Sequence, residues 1–284
     1  MQLEDCIKGF IQGISKAIPP AKTCKIVLKK MKNIDPPILK GYFEVPRPSK
    51  IPQYRVLSTD YYQQVTRNFF LVPANQGTNG KGHSKEQALA SGLMELVERY
   101  SCSKYILDNR NVCSVYSFQD LKKSNLFQLE DIYANLINKD QMRVLKEEAL
   151  GSSKIRWYGG YALNGRKVSL PIDLILRLLE GTNGMASGNS LEEALLHGIC
   201  EVIERHCLSL IEINKLKTPL IKFSTIASSI GKKLIKDFQS LNYPIFIKDF
   251  SLGIGLPIIG VVRKMDESSC IVTAGVATTR EEAL

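Results

Sequence analysis

The sequence predicts mixed helices and strands, an α/β or α+β chain, and three observations carry that expectation. Stretches with apolar residues three and four apart alternate with short runs rich in β-branched and aromatic residues. Gly, Pro and Asn clusters punctuate the changes from one pattern to the other. A seventeen-residue helical pattern occurs twice behind the same four-residue turn, so repeated turn-helix units organise the chain.

Taken in order, residues 3–32 read as mostly helical, with Pro19 and Pro20 breaking the run and Lys22–Lys32 forming a basic second helix. Residues 33–60 hold Pro36, Pro37, Pro46, Pro48 and Pro52 and read as an extended connection with short strands. Gln64–Pro73 reads as a strand leading to the turn Gly77-Thr78-Asn79-Gly80. Helices are expected over about 84–108 and 117–149. Trp157–Ala162 and Lys167–Pro171 flank the turn Asn164-Gly165-Arg166 as a hairpin. A further helix opens after Gly188-Asn189-Ser190, and Pro244–Lys248, Leu256–Arg263 and Cys270–Thr273 read as strands. The expected organisation is an N-terminal helical and extended segment over 1–54 and a main domain over 55–284.

With 284 residues, 44% hydrophobic and 23% charged, the chain is long enough for one large or two small globular domains with a real core. A net charge of +10 invites a nucleic-acid reading, but the excess is diffuse. Residues 1–50 carry ten Lys or Arg against four Asp or Glu, and no nucleic-acid motif accompanies them. Seven cysteines without a C-x-x-C pair argue against a disulfide framework, and three scattered histidines argue against zinc. The N-terminus has no secretory pattern and no apolar run approaches 18 residues, so a cytoplasmic chain without a membrane span is expected.

The repeat is the most informative feature. Glu86–Cys102 aligns without gaps to Glu192–Leu208, with seven of seventeen positions identical. Gly-Thr-Asn-Gly precedes both copies, at 77–80 and 181–184. Ala274–Leu284 matches Met185–Leu195, the opening of the second copy, which predicts a third helix of the set beyond Leu284 and an incomplete C-terminus. On the first helix Ser91, Glu95 and Glu98 share a stripe; Glu201 and Glu204 line the equivalent stripe of the second. Carboxylates stacked in this way repel unless a cation or ligand donors compensate them, and oxygen-only ligands suit Mg2+ beside a phosphate. Solvated i, i+4 pairs, Glu95–Arg99 and Glu201–Arg205, are the plain alternative, but surface pairs have little reason to recur behind the same turn. Gly77–Gly82 is not a Walker A sequence, because Asn75 stands where its first Gly belongs; a Gly-rich turn before a helix can still offer N–H groups to an anion, with Lys81 beside it. His83, His197 and His206 read as structural, and His197 occupies the repeat position of Ser91.

These residues resemble the YcaO family. Its opening motif, G-K-G followed by S-x-x-x-E-x-x-E-R, is matched by Gly80-Lys81-Gly82 and by Ser91, Glu95, Glu98 and Arg99. Its second motif is matched by Thr182-Asn183-Gly184, Gly188-Asn189, Glu193-Ala194, Glu201, Glu204 and Arg205. Trp157 and Leu170-Pro171-Ile172 also fit, and the likeness runs from about residue 55 to Leu284. The resemblance implies a YcaO-type ATP-binding fold in which Mg2+ ions bridge Glu95, Glu98, Glu201 and Glu204 to ATP. Lys81, Ser91, Asn189, Glu193, Arg99 and Arg205 are then the ATP-binding residues, and no catalytic acid or base is assigned. The implied reaction is ATP-dependent phosphorylation of a peptide amide oxygen, followed by azoline or thioamide formation. The alternative is a regulatory ATP-binding protein that assists sulfur insertion or ribosomal-protein methylthiolation. A peptide or protein substrate, a partner for substrate recognition or sulfur delivery, and a homodimer are compatible with either. Thr182 and Ala186 depart from the family's serines, with Ser187 beside Ala186. The family's third helix, with its Glu and Gln, is absent from the sequence, which predicts weak ATP binding by this chain.

Overall fold

The computed structural model describes residues 3–11, 15–47, 50–67, 77–117, 154–172, 175, 182–242, 244–266 and 269–284. In chain order the elements are β1 (Phe10–Ile11), β2 (Ser15–Lys16), α1 (Pro20–Met31), β3 (Leu39–Glu44), β4 (Gln53–Ser58), α2 (Asp60–Arg67) and β5 (Gly77–Lys81). There follow α3 (Lys85–Asn109), β6 (Ser114–Tyr116), β7 (Ile155–Tyr161), β8 (Lys167–Leu170), α4 (Leu191–Ile213) and β9 (Leu220–Ile221). A 3-10 turn (Phe223–Thr225), α5 (Ser229–Ser240), β10 (Ile245–Asp249), β11 (Ile258–Lys264), β12 (Cys270–Val276) and α6 (Arg280–Ala283) complete the set. Two compact units emerge. One comprises Met1–Leu3, Thr59–Gln76 and Arg99–Thr182; the larger comprises Glu4–Ser58, Gly77–Glu98 and Asn183–Leu284. Residues 4–54 therefore share a unit with both glutamate-bearing helical stretches. Among the described residues no helix is long and apolar enough to cross a membrane.

In the larger unit, among the described residues of 3–32, the mostly helical reading holds only for α1. Gly9 disfavours helix by about 1 kcal/mol, and Ser15 and Ala17 donate their N–H groups to distant carboxylates. Pro20 starts α1 at a first-turn position, where its fixed φ suits the helix. β3, β4 and β5 form an antiparallel sheet in that order. The turn expected at 77–80 is thus a strand. Close packing on α3 decides this: a Cβ on Gly80 would stand 1.9 Å from the Ala88 carbonyl oxygen, so only glycine fits. Gly92 on the helix is the matching gap, and the buried Thr78 hydroxyl donates to its carbonyl at 2.6 Å.

The sheet β12-β11-β10-β9 has a covered face on each side. Cys207 and neighbours on α4 pack with Phe250 and Ile258 on one face; Ile235 of α5 and Ala283 of α6 pack with Ile247 and Ile259 on the other. Adjacent Ile258 and Ile259 point to opposite cores, as strand alternation requires. Full burial of each such side chain contributes about 1.5–3 kcal/mol.

In the smaller unit, the expected strand over 64–73 is helical as far as Arg67. The Tyr62 N–H bonds the Thr59 hydroxyl at 3.3 Å, a start signal that outweighs β-propensity; residues 68–73 lie outside the described residues. So does the helix expected over 117–149, apart from Ser117. The expected hairpin is present as β7 and β8, with Gly165 at φ 79° in its turn. Trp157 stacks on Tyr116 at 5.1 Å and donates its indole N–H to the Tyr116 carbonyl at 2.9 Å.

Candidate functional site

The repeat seen in the sequence is a repeated helix cap. Ser84 accepts the Gln87 N–H at 3.2 Å, and Ser190 accepts the Glu193 N–H at 3.2 Å. In return Gln87 Oε1 accepts the His83 N–H at 3.0 Å, and Glu193 Oε2 accepts the Asn189 N–H at 2.6 Å. Such reciprocal caps satisfy donors that a helix start leaves open. The first half of this cap recurs at α6, where Thr279 accepts the Glu282 N–H at 3.3 Å. The glycines recur for the same reason: Gly82 and Gly188 press against the amides of Ala88 and Ala194, and Gly198 faces Gly184 as Gly92 faces Gly80.

Glu193 is buried, and its carboxylate has two further donors. Oε1 accepts the Ala17 N–H at 3.1 Å, and Oε2 accepts the Asn189 side-chain amide at 2.7 Å. Asn189 Oδ1 accepts the Thr23 hydroxyl at 2.8 Å, which ties α1 to the start of α4. Glu282 repeats the grip on the N-terminal segment, accepting the Ser15 N–H at 3.0 Å, with Lys8 Nζ 3.7 Å from its other oxygen. Between these carboxylates lies a cavity of about 270 Å³, lined by Lys8, Lys16, Glu193, His197, Cys200 and Glu282 among others. Sequence reasoning did not single out Lys8, Lys16 or Thr23. Glu282 had a signal, its alignment with Glu193, whereas backbone N–H donors such as those of Ser15 and Ala17 leave no mark in a side-chain pattern.

Glu201 and Glu204 lie further along α4. The Gly184 N–H donates to Glu201 Oε2 at 3.2 Å. Arg205 is half-exposed, with Nη2 3.8 Å from Glu201 and 3.9 Å from Glu204. Glu204 is buried; desolvation pushes its carboxyl above the ordinary value, Arg205 opposes the rise and Glu201 adds to it. The segment before α4 also reaches α3, where the Ser187 hydroxyl donates to the Met94 carbonyl at 3.0 Å, next to Glu95. Glu95 and Glu98 are half-buried and Ser91 is exposed on α3; Lys81 ends β5 and is exposed; Arg99 is half-buried and falls in the other unit. Among the described residues no three His, Cys, Asp or Glu side chains form a metal cage by themselves. The donor set still fits Mg2+, which is held by one or two carboxylates together with waters and phosphate oxygens, and among the described residues buried Glu204 is offset by the half-exposed Arg205 at 3.9 Å.

A family model described as YcaO cyclodehydratase, binding ATP and Mg2+, matches residues 79–284. The ribosomal protein S12 methylthiotransferase accessory factor YcaO of Escherichia coli (strain K12) is 29% identical over 206 residues, 65% of this chain and 35% of that protein. A heterocyclase solved with substrate and cofactor matches 100% of this chain and 40% of its own, with a TM-score of 0.73 at 22% identity. YcaO from Methanopyrus kandleri, bound with AMPPCP and Mg2+, matches 98% of this chain and 67% of its own, with a TM-score of 0.66 at 17% identity. At these identities the structural likeness is one of fold. The chain spans about a third to a half of the length of the curated relatives it matches.

Proposed function

Because the chain belongs to the YcaO family, we propose that it serves Mg-ATP-dependent activation of a peptide backbone amide, leading to an azoline or a thioamide. The observation that carries this reading is the pair of glutamates on α4, one of them buried and, among the described residues, paired with a half-exposed arginine at 3.9 Å, on a helix whose cap and carboxylate spacing repeat those of α3. Glu95, Glu98, Glu201 and Glu204 would hold Mg2+. Lys81, Ser91, Asn189, Glu193, Arg99 and Arg205 would contact ATP, and Lys16, set in the cavity beside Glu193, joins them as a point charge for phosphate. Bound Mg-ATP supplies the phosphoryl group that turns the amide oxygen into a leaving group. The chain's own part is positioning and charge stabilisation: carboxylates orient cations, and lysine and arginine offset developing negative charge.

A second reading rests on one observation, the similarity to the E. coli accessory factor: the chain binds ATP and assists another modification system without touching a peptide amide itself. Both readings require nucleotide on the repeated helices. Calorimetric titration of Mg-ATP into the protein and its Glu95→Ala/Glu201→Ala variant tests that requirement. Binding that the double substitution abolishes supports the site; a folded wild-type protein that binds no ATP, or a variant that binds as well, sinks it. Incubation with ATP and candidate peptides, followed by mass spectrometry for loss of water or oxygen-to-sulfur exchange, then separates the catalytic reading from the accessory one.

A further inference from the structure

We propose that the exposed face of α1 is a docking rail for an acidic peptide segment. The helix carries Lys22, Lys25, Lys29 and Lys30, with Lys32 at its C-cap and no acidic residue; the nearest acids along the chain are Asp5 and Asp35. Spacings of three, four and three put Lys22, Lys25, Lys29 and Lys32 on one stripe, about 15 Å long at 1.5 Å per residue. All five lysines are exposed. None takes part in a described ion pair, whereas Lys8 and Lys85 meet Glu282 and Glu44. Like charges at these spacings destabilise a helix, so the arrangement works against the fold unless an anion covers it.

The opposite face is already committed. Thr23, Cys24, Val27 and Met31 are buried, and the Cys24 thiol donates to the Glu86 carbonyl at 3.5 Å. With its apolar face in the protein, α1 cannot lie in a membrane as an amphipathic helix does. The choice between polypeptide and nucleic acid follows from the stripe's make-up. It is narrow, all lysine, and without the arginine forks or stacking aromatics that grip phosphates and bases; its central neighbour is a partly exposed Ile26. An extended peptide with acids at alternate positions presents a carboxylate to one side every ~6.6 Å, a spacing that flexible lysine arms on successive turns can follow. The same helix supplies Thr23 to Asn189, so a captured peptide would be held beside the candidate site. Docking itself does not depend on the nucleotide reading.

The test is fluorescence anisotropy with a labelled sixteen-residue peptide of alternating Glu and Ser, its Gln-Ser counterpart, and a single-stranded oligonucleotide of matched charge. The Lys22→Gln/Lys25→Gln/Lys29→Gln/Lys32→Gln variant is compared with Lys232→Gln/Lys233→Gln/Lys236→Gln on α5, which removes exposed lysines elsewhere. Expected are binding of the acidic peptide over its neutral counterpart, an affinity loss of about tenfold or more in the stripe variant, and less than twofold in the control, with circular dichroism and Mg-ATP titration unchanged in both. No binding of the acidic peptide, equal losses in both variants, or tighter binding of the oligonucleotide at the same stripe would overturn the proposal.

Discussion

Replacing Glu193 by alanine tests whether its carboxylate clamps the N-terminal segment. The carboxylate accepts three N–H groups, one from Ala17 and two from Asn189, at 3.1, 2.6 and 2.7 Å. A donor stranded away from water costs about 1–3 kcal/mol. That range applies to Ala17, which is half-buried; Asn189 is exposed, and its donors can turn to water at about 0.5 kcal/mol each. The sum is about 2–4 kcal/mol, against a net stability of about 5–15 kcal/mol for a typical domain. With a urea slope of about 1–3 kcal/mol per molar, the unfolding midpoint falls by about 1 M. Hydrogen exchange at the Ala17 amide accelerates in parallel. Glu193→Gln sharpens the test, because one amide oxygen can serve Asn189 or Ala17 but not both: the midpoint recovers in part while the Ala17 amide still exchanges fast. A Glu193→Ala midpoint within about 0.2 M of wild type, with Ala17 exchange unchanged, would refute the clamp.

Two further outcomes follow from the packing. Gly80→Ala places a Cβ 1.9 Å from the Ala88 carbonyl oxygen and 2.3 Å from the Gly92 nitrogen, all backbone, so a loss of about 3 kcal/mol is expected in thermal melts; Gly41→Ala, with nothing within 4 Å, is the neutral control. Tyr100 is pushed up to about 12 by burial first and then by its hydrogen bond to Tyr61. The folded state thus keeps a proton that the unfolded state gives up near pH 10, so this contribution is complete below about pH 10 and is lost as pH rises through about 12. Absorbance titration of the phenolates checks it, and Tyr61→Phe should bring the late phase down.

The repeat was legible because the helix caps behind it are local. Ser84, Gln87, Ser190 and Glu193 meet backbone groups a few residues away, and their spacing survives in the sequence as a repeat. The hairpin at 155–170 and the helices opening at Lys85 and Leu191 were readable for the same reason. Where a short, glycine-rich segment has no periodicity of its own, the decision passes to distant partners. Gly77–Lys81 is a strand rather than a turn because β4 pairs with it and α3 presses on Gly80. Ser15–Lys16 is a strand rather than helix, and carboxylates far along the chain take the Ser15 and Ala17 N–H groups. The sequence by itself determined which side chains repeat and carry charge, since those properties depend on neighbours within one or two turns. Only the tertiary structure decided which backbone each carboxylate grips, because hydrogen bonds between segments far apart depend on position in space and leave no periodic trace in the chain.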